Sequence, residues 1–235
     1  MFNPRPTLSQ VPIGDGAVCV VIDDALEDPQ SLVALSMRHR GAFTMAEANA
    51  FPGLELPLPD GVIERFSESF AQHARSTVGA RRLLRASGRL SMVTLLPSQL
   101  APVQRVCHRD RLGTAQDECV GAGVLYLFHE PALGGTSFFC PRPQAGDIEA
   151  RMRRWGAIDN AHFDLETGWP PAYMTQSNVF FERTAVVPAR WNRLIFYDGS
   201  RFHSSHIEQP QRLCDDPTGG RLTINLFFVC RRRAA

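Results

Sequence analysis

The chain has 235 residues, 44% apolar and 21% charged, which fits one large or two small domains with a sizeable core. Its net charge of +1 excludes a global field for nucleic acid or a membrane surface, and no apolar run reaches membrane-spanning length. The opening MFNPRPTLSQVPIGDG lacks the apolar core of a secretory signal, and six scattered cysteines without a CxxC pair point to reduced thiols and a cytoplasmic protein.

AVCVVID (17–23) reads as a buried strand, short, β-branched and closed by acidic residues. Asp28-Pro29 predicts a helix start, with Asp as N-cap, Pro at the first helical position, and Leu32, Val33, Leu35 and Met37 as the apolar face. FPGLELPLPD (51–60) holds three prolines and predicts an extended, irregular segment. Asp60 is then expected to cap a second helix, in which Val62, Ile63, Phe66, Phe70 and Ala74 recur at helical spacing and which ends near Gly79.

From about residue 88 the pattern turns to strands. They are RLSMVTLL (89–96), GVLYLFH (123–129), TSFFC (136–140), NVFFERTAVV (178–187), RLIFYDG (193–199) and RLTINLFFVC (221–230). AGDIEARMRRWG (145–156) interrupts them as a short helix. Residues 156–178, polar around Trp169-Pro170-Pro171, read as a loop over a barrel mouth, a candidate lid or substrate-selecting element. The expected fold is mainly β (α+β) in one domain over residues 1–235. A helical N-terminal part, 1–87, packs on a sandwich or barrel of about eight strands, 88–230, with a jelly roll the obvious candidate.

The chemistry concentrates at His108-Arg109-Asp110. Strand alternation puts Gln104, Val106, His108 and Asp110 on one side, so an imidazole and a carboxylate project into the same space. His203, in FHSSH beyond the turn-prone Asp198-Gly199-Ser200, is the third candidate ligand. His206 faces the other way and reads as a surface or supporting residue; His129 and His162 read as loop residues. Two imidazoles and a carboxylate make the facial triad of non-haem Fe(II) oxygenases, with three adjacent positions left for a bidentate 2-oxo acid and O2. The far carboxylate of such a co-substrate needs a cation, and the guanidinium fork of Arg221 suits it. Thr223 shares the strand face of Arg221 and offers a hydroxyl, and Gln104 is a candidate substrate contact. The same residues have plain structural readings: Arg221 bridging Asp215 or Asp216, Gly134-Gly135 as a hairpin turn, Tyr126 as a core aromatic, and Arg231 to Arg233 as a solvated basic tail.

Four motifs follow in order. They are His108-Arg109-Asp110, then Tyr126-Leu127-Phe128 with Gly134-Gly135-Thr136, then Asn192 to Tyr197 with Phe202-His203-Ser204, and then Arg221-Leu222-Thr223. This order resembles the Fe(II)/2-oxoglutarate-dependent oxygenase superfamily in its prolyl-hydroxylase-like arrangement. The front of the chain, VVIDDALEDPQSLVALSMRH and FPGLELPLP, is similar to a bacterial branch of it, so the resemblance spans about residues 17 to 230. It implies a double-stranded β-helix (a cupin-like jelly roll), Fe(II) held by His108, Asp110 and His203, 2-oxoglutarate and O2 as co-substrates, and hydroxylation of an unactivated C–H with release of succinate and CO2. Related halogenases replace the carboxylate by a small residue; Asp110 keeps it, which favours hydroxylation. The tyrosine that many members place shortly before the His-x-Asp motif is missing from SMVTLLPSQL, leaving Thr94 or Tyr126 as substitute contacts to 2-oxoglutarate. The implied partner is a small molecule, an amino acid or a peptide, with neither nucleic acid nor membrane. Two other functions fit the ligand set: a non-enzymatic cupin-like metal- or ligand-binding module, and a zinc hydrolase or isomerase. Arg221-x-Thr223 speaks against zinc, which needs no carboxylate clamp.

Overall fold

The computed structural model describes residues 2–45, 51–110 and 114–233. Its strands are β1 (Thr7–Gly14), β2 (Ala17–Asp23), β3 (Gly53–Pro57), β4 (Ala80–Val93), β5 (Glu118–Tyr126), β6 (Thr136–Pro141), β7 (Phe181–Val187), β8 (Leu194–Asp198), β9 (Phe202–Ser205) and β10 (Arg221–Arg232). The helices are α1 (Gln30–Arg38), α2 (Asp60–His73), α3 (Ile148–Trp155) and α4 (Asn160–Thr167). The strands pair antiparallel in two sheets, a seven-stranded one in the order β1-β2-β8-β5-β10-β4-β3 and a three-stranded one in the order β7-β6-β9. The mainly β expectation is met.

Strand period two decides the layers. Along β10, Leu222, Ile224, Leu226, Phe228 and Cys230 turn to one side and join a core with Phe66, Phe70 and Ala74 of α2. Phe70 stacks on Phe228 with ring centroids 4.2 Å apart. A Cβ on Gly121 of β5 would lie 2.5 Å from the Phe70 ring, so only glycine lets the helix settle this close. The other face of the large sheet shares a second core with the small sheet, through Ile13, Val21, Tyr126, Phe138, Val187 and Ile195. A third cluster packs α3 and α4 over the end of the small sheet, with Trp155 and Phe163 against Phe139, Phe181 and Phe202.

Several expectations change. The region before residue 88 is not mainly helical: it supplies β1, β2, β3 and much of β4 beside α1 and α2. Within the proline-rich stretch at 51–60 the middle is a regular strand, β3, pairing Gly53 with Val93 through Pro57 with Arg89. It lies at the sheet edge, where proline costs no ladder bond. Pro29 rather than Asp28 stands at the N-cap of α1, with Asp28 just before it accepting from the Ser31 N–H at 3.2 Å, and Met37 is exposed rather than buried. Asp60 makes no side-chain cap; it lies in the first turn of α2, where its charge still suits the helix dipole. Residues 156–178 are not one loop, because α4 forms within them, started by Asp159 on the His162 N–H at 2.9 Å and stopped by left-handed Gly168. Gly134-Gly135 is no hairpin turn, since β5 and β6 lie in different sheets. Here Cβ atoms would meet His206 O at 1.6 Å and Val187 O at 2.0 Å, so backbone contact demands glycine. Among the described residues no helix is long and apolar enough to cross a membrane.

Replacing Phe70 by alanine removes the ring that joins α2 to both Phe228 and Phe196. Chemical denaturation is expected to show a loss of about 3–5 kcal/mol; a loss below about 1 kcal/mol would contradict this packing.

Candidate metal centre

His108 and His203 are brought together by their own backbones. The two form an isolated antiparallel bridge, each N–H donating to the other's carbonyl at 2.9 Å. Two residues on, the Asp110 N–H donates to Gly199 O at 2.8 Å, in the Asp198-Gly199-Ser200 turn that joins β8 to β9. A Cβ on Gly199 would lie 3.0 Å from Asp110 Oδ2, so the missing side chain is part of the fit. The result is a compact cluster. The imidazole centroids are 4.5 Å apart, His203 Nε2 is 3.6 Å from Asp110 Oδ2, and His108 Nε2 is 3.9 Å from Asp110 Oδ1. One ligand atom from each residue lies within 4.8 Å of the others.

The premise that put His108 and Asp110 together needs correcting. Residues 102–104 are a 3-10 turn and 105–110 are not a strand of either sheet, because Pro97 and Pro102 break the ladder. Alternation survives only locally, at His108 and Asp110. Gln104 Oε1 accepts from the Ala101 N–H at 2.9 Å and its Nε2 donates to Phe51 O at 3.3 Å, yet Gln104 still lines the cavity.

The electrostatics suit a cation. Burial pushes both imidazoles down to about 4, His108 further through its neighbour His203 and against the pull of Asp110, so both are neutral at pH 7. His203 Nδ1 sits 2.9 Å from Arg201 O. A carbonyl can only accept, so Nδ1 carries the proton and Nε2 offers its lone pair toward Asp110. Burial raises Asp110 to about 6, against the opposing charges of His108 and Arg89. Its Oδ2 is buried with no hydrogen-bond partner among the described residues. Such an orphaned carboxylate oxygen beside two bare imidazole nitrogens is a donor set in want of a metal ion.

The cluster lines a cavity of about 440 Å³ that also reaches Arg221. Arg221 is 2% exposed; its Nε donates to Leu133 O and its Nη2 to Gly135 O, both at 2.9 Å. The 133–135 turn therefore aims the arginine through its Leu133 and Gly135 carbonyls. No carboxylate pairs with it among the described residues: Asp215 and Asp216, its expected competitors, bind Arg40 at 3.0 and 3.4 Å. Thr223 and Tyr126 stand opposite each other on β10 and β5, fully buried behind the cavity wall. The Thr223 hydroxyl donates to Asn225 Oδ1 at 3.1 Å, and the Tyr126 hydroxyl pairs with that of Thr136 at 2.8 Å. Burial raises Tyr126 to about 12. Thr94 does not line the cavity.

Sequence reading missed the residues that do face it. Tyr197 of β8 sets its ring edge-on to His203, centroids 4.8 Å apart, and lines the cavity. Its alternation with Ile195 on β8 was the available signal. Tyr173 follows Trp169-Pro170-Pro171, lines the cavity too, and donates its hydroxyl to Leu95 O at 2.6 Å. Of the other histidines, His206 meets Ser137 Oγ at 2.8 Å through Nδ1, His129 stacks on Trp191, and His162 pairs with Asp159.

Residues 4–228 match a family described as "Family of unknown function (DUF6445)". The chain belongs to DUF6445. A search of curated proteins finds no match. Among solved structures, this DUF6445 chain is similar to a Pseudomonas putida prolyl-4-hydroxylase at 14% identity, covering 92% of this chain and 93% of that one, TM-score 0.47. It is similar to HygX from Streptomyces hygroscopicus, solved with nickel and 2-oxoglutarate bound, at 14% identity, covering 89% and 82%, TM-score 0.43. It is also similar to AviO1 from Streptomyces viridochromogenes Tue57, at 15% identity, covering 98% and 92%, TM-score 0.44.

Removing one imidazole should cost the DUF6445 site more than the ~10–100-fold in metal affinity typical of an outer-shell partner. Calorimetric titration of Mn(II) into His203→Ala is expected to show no saturable binding in the wild-type range. Wild-type affinity in that variant would remove His203 from the site.

Proposed function

We propose that the chain is a non-haem Fe(II)- and 2-oxoglutarate-dependent oxygenase. It hydroxylates an unactivated C–H of an amino acid, a peptide residue or a small natural product, on a double-stranded β-helix formed by the two facing sheets. One observation carries the reading: a desolvated His108–Asp110–His203 cluster and a buried arginine with no acidic partner among the described residues share one cavity. The residues present fit the metal. His108, Asp110 and His203 supply two neutral nitrogens and one carboxylate, the ligand pattern of iron oxygenases with open positions. When bound, the iron supplies O2 activation coupled to oxidative decarboxylation of 2-oxoglutarate.

The chain's own residues do the rest. The His203 Nδ1–H, held on Arg201 O, fixes the ring so that Nε2 faces the metal position. Asp110 stays anionic at neutral pH, supplying the negative charge a divalent cation needs. Arg221 takes the far carboxylate of 2-oxoglutarate with the N–H groups not used on Leu133 O and Gly135 O. Thr136 and Tyr197 form the wall beside it, with the Thr136 hydroxyl oriented by Tyr126. Tyr173 and Met174, from the segment after α4, close another wall and limit water entry. Thr223 acts at one remove, bracing Asn225.

A zinc hydrolase would use the three ligands but has no need of Arg221, which separates the two experimentally. Arg221→Gln is expected to weaken 2-oxoglutarate binding by about 10–100-fold, the loss of a charged hydrogen bond, while Mn(II) affinity holds. The wild type with Fe(II), ascorbate and air should release succinate from 2-oxoglutarate. Unchanged 2-oxoglutarate affinity in the variant would overturn the role of Arg221.

A further inference from the structure

Two arginines besides Arg221 line the cavity: Arg109, which pairs with Glu149 and lies over the Phe202 ring, and Arg89, which the 2-oxoglutarate reading does not use. Register along the large sheet places it: Arg221 pairs with Val93, Thr223 with Ser91 and Asn225 with Arg89. Arg89 therefore shares the face of Arg221 but lies four strand residues further along, about 13 Å at ~3.3 Å per residue. A single carboxylate cannot use both guanidinium groups.

Arg89 is held as a binding group is held. Its Nη1 donates to Glu55 Oε2 at 2.9 Å, and its guanidinium carbon lies 5.0 Å from the centroid of the Phe227 ring. Glu55 is only 9% exposed, while Arg89 keeps 33% of its side chain open. The acid and the ring thus fix the plane of the fork. Its Nε and Nη2 make no hydrogen bond to the described residues. Asn225, beside Arg89 on the next strand, accepts the Thr223 hydroxyl through Oδ1, so its amide N–H groups remain as donors. Arg89, Glu55, Asn225 and Phe227 all line the cavity that contains the His108–Asp110–His203 cluster. An edge salt bridge alone would need none of this: it could point to solvent, away from the cluster, and contribute about 0–1 kcal/mol.

We propose that the molecule oxidised by this protein carries a carboxylate, and that Arg89, braced by Glu55 and Phe227, is the residue that binds it. The Nε–Nη2 edge matches two carboxylate oxygens in the bidentate geometry peculiar to arginine, and Asn225 adds a neutral donor. This deepens the oxygenase reading and rests on it. Arg221 selects the co-substrate acid and Arg89 the substrate acid.

The test is calorimetric titration of the Mn(II)- and 2-oxoglutarate-loaded protein with the protein amino acids and their N-acetyl derivatives, each beside its α-carboxamide. Asparagine and glutamine serve as side-chain controls for aspartate and glutamate, so the panel separates an α-carboxylate from a side-chain carboxylate. At least one acid is expected to bind, with its matched amide about tenfold weaker or worse. The double variant Glu55→Gln/Arg89→Gln, which leaves no lone buried charge, should lose about 10–100-fold in affinity for that acid. Mn(II) and 2-oxoglutarate affinities should stay within about threefold. Equal binding of acid and amide, unchanged acid affinity in the double variant, or no binding by any panel member would each overturn the proposal. The acid–amide comparison uses the wild type alone, so it stands even if the variant fails to fold. Failure of the wild type to bind Mn(II) or 2-oxoglutarate would instead strike the oxygenase reading itself.

Discussion

Two backbone hydrogen bonds between His108 and His203 set the spacing on which the cavity chemistry depends. The bridge joins the segment leading out of the 97–104 turns to β9 of the small sheet, so the imidazole separation is a property of the backbone and not of rotamer choice. A third backbone bond, from Asp110 to Gly199, brings in the carboxylate from the same segment. Three side chains drawn from two distant parts of the sequence are thereby placed by main-chain pairing, the most rigid means a β protein has. A site built on such elements is held more tightly than one built on loops alone.

That arrangement is costly until something neutralises it. Removing a lone carboxylate from water carries a penalty of several kcal/mol; here the response is visible in the upward shift of Asp110 and the neutrality of both imidazoles. Asp110 Oδ2 finds no hydrogen bond among the described residues to offset the loss. Arg221 repeats the pattern with opposite sign, a buried cation whose hydrogen bonds among the described residues go to the carbonyls of Leu133 and Gly135. A chain that buries a bare carboxylate and an unneutralised guanidinium in the same cavity retains two sites of unspent electrostatic attraction. The fold supports them through apolar packing elsewhere: α2 on the far face of the large sheet, and the Trp155–Phe163–Phe181 cluster beside β9.

Much of this was legible in the sequence, and the failures have physical causes. His203 after a strand and turn and Arg221 at a strand start read correctly as positions in the fold, because each depends on local periodicity or turn chemistry; His108 and Asp110 do converge, though not on the strand that their alternation implied. The hairpin of β1 and β2 was missed although Asp15-Gly16, both at positive φ, is its turn signal; β1 is an exposed edge strand with no apolar alternation to read. The α4 helix was missed because its polar surface hides an N-cap at Asp159 and a stop at Gly168. Tyr173 and the Glu55–Arg89 pair could not be found from spacing, since each enters the cavity through pairing between strands or segments far apart in the chain. Thr223 was placed on the face of Arg221, but strand alternation does not tell how deep along that face the cavity begins.

The oxygenase proposal requires His108, Asp110 and His203 to converge on a metal ion with Arg221 placed for a 2-oxo acid. Diffraction from crystals grown anaerobically with Mn(II) and 2-oxoglutarate, with anomalous data recorded at the manganese edge, tests it most directly. One strong anomalous peak is expected in contact with Asp110 and with Nε2 of both His108 and His203, and 2-oxoglutarate density whose far carboxylate rests on Arg221. A peak at any other place, with the three side chains bare, or 2-oxoglutarate bound away from Arg221, would contradict it.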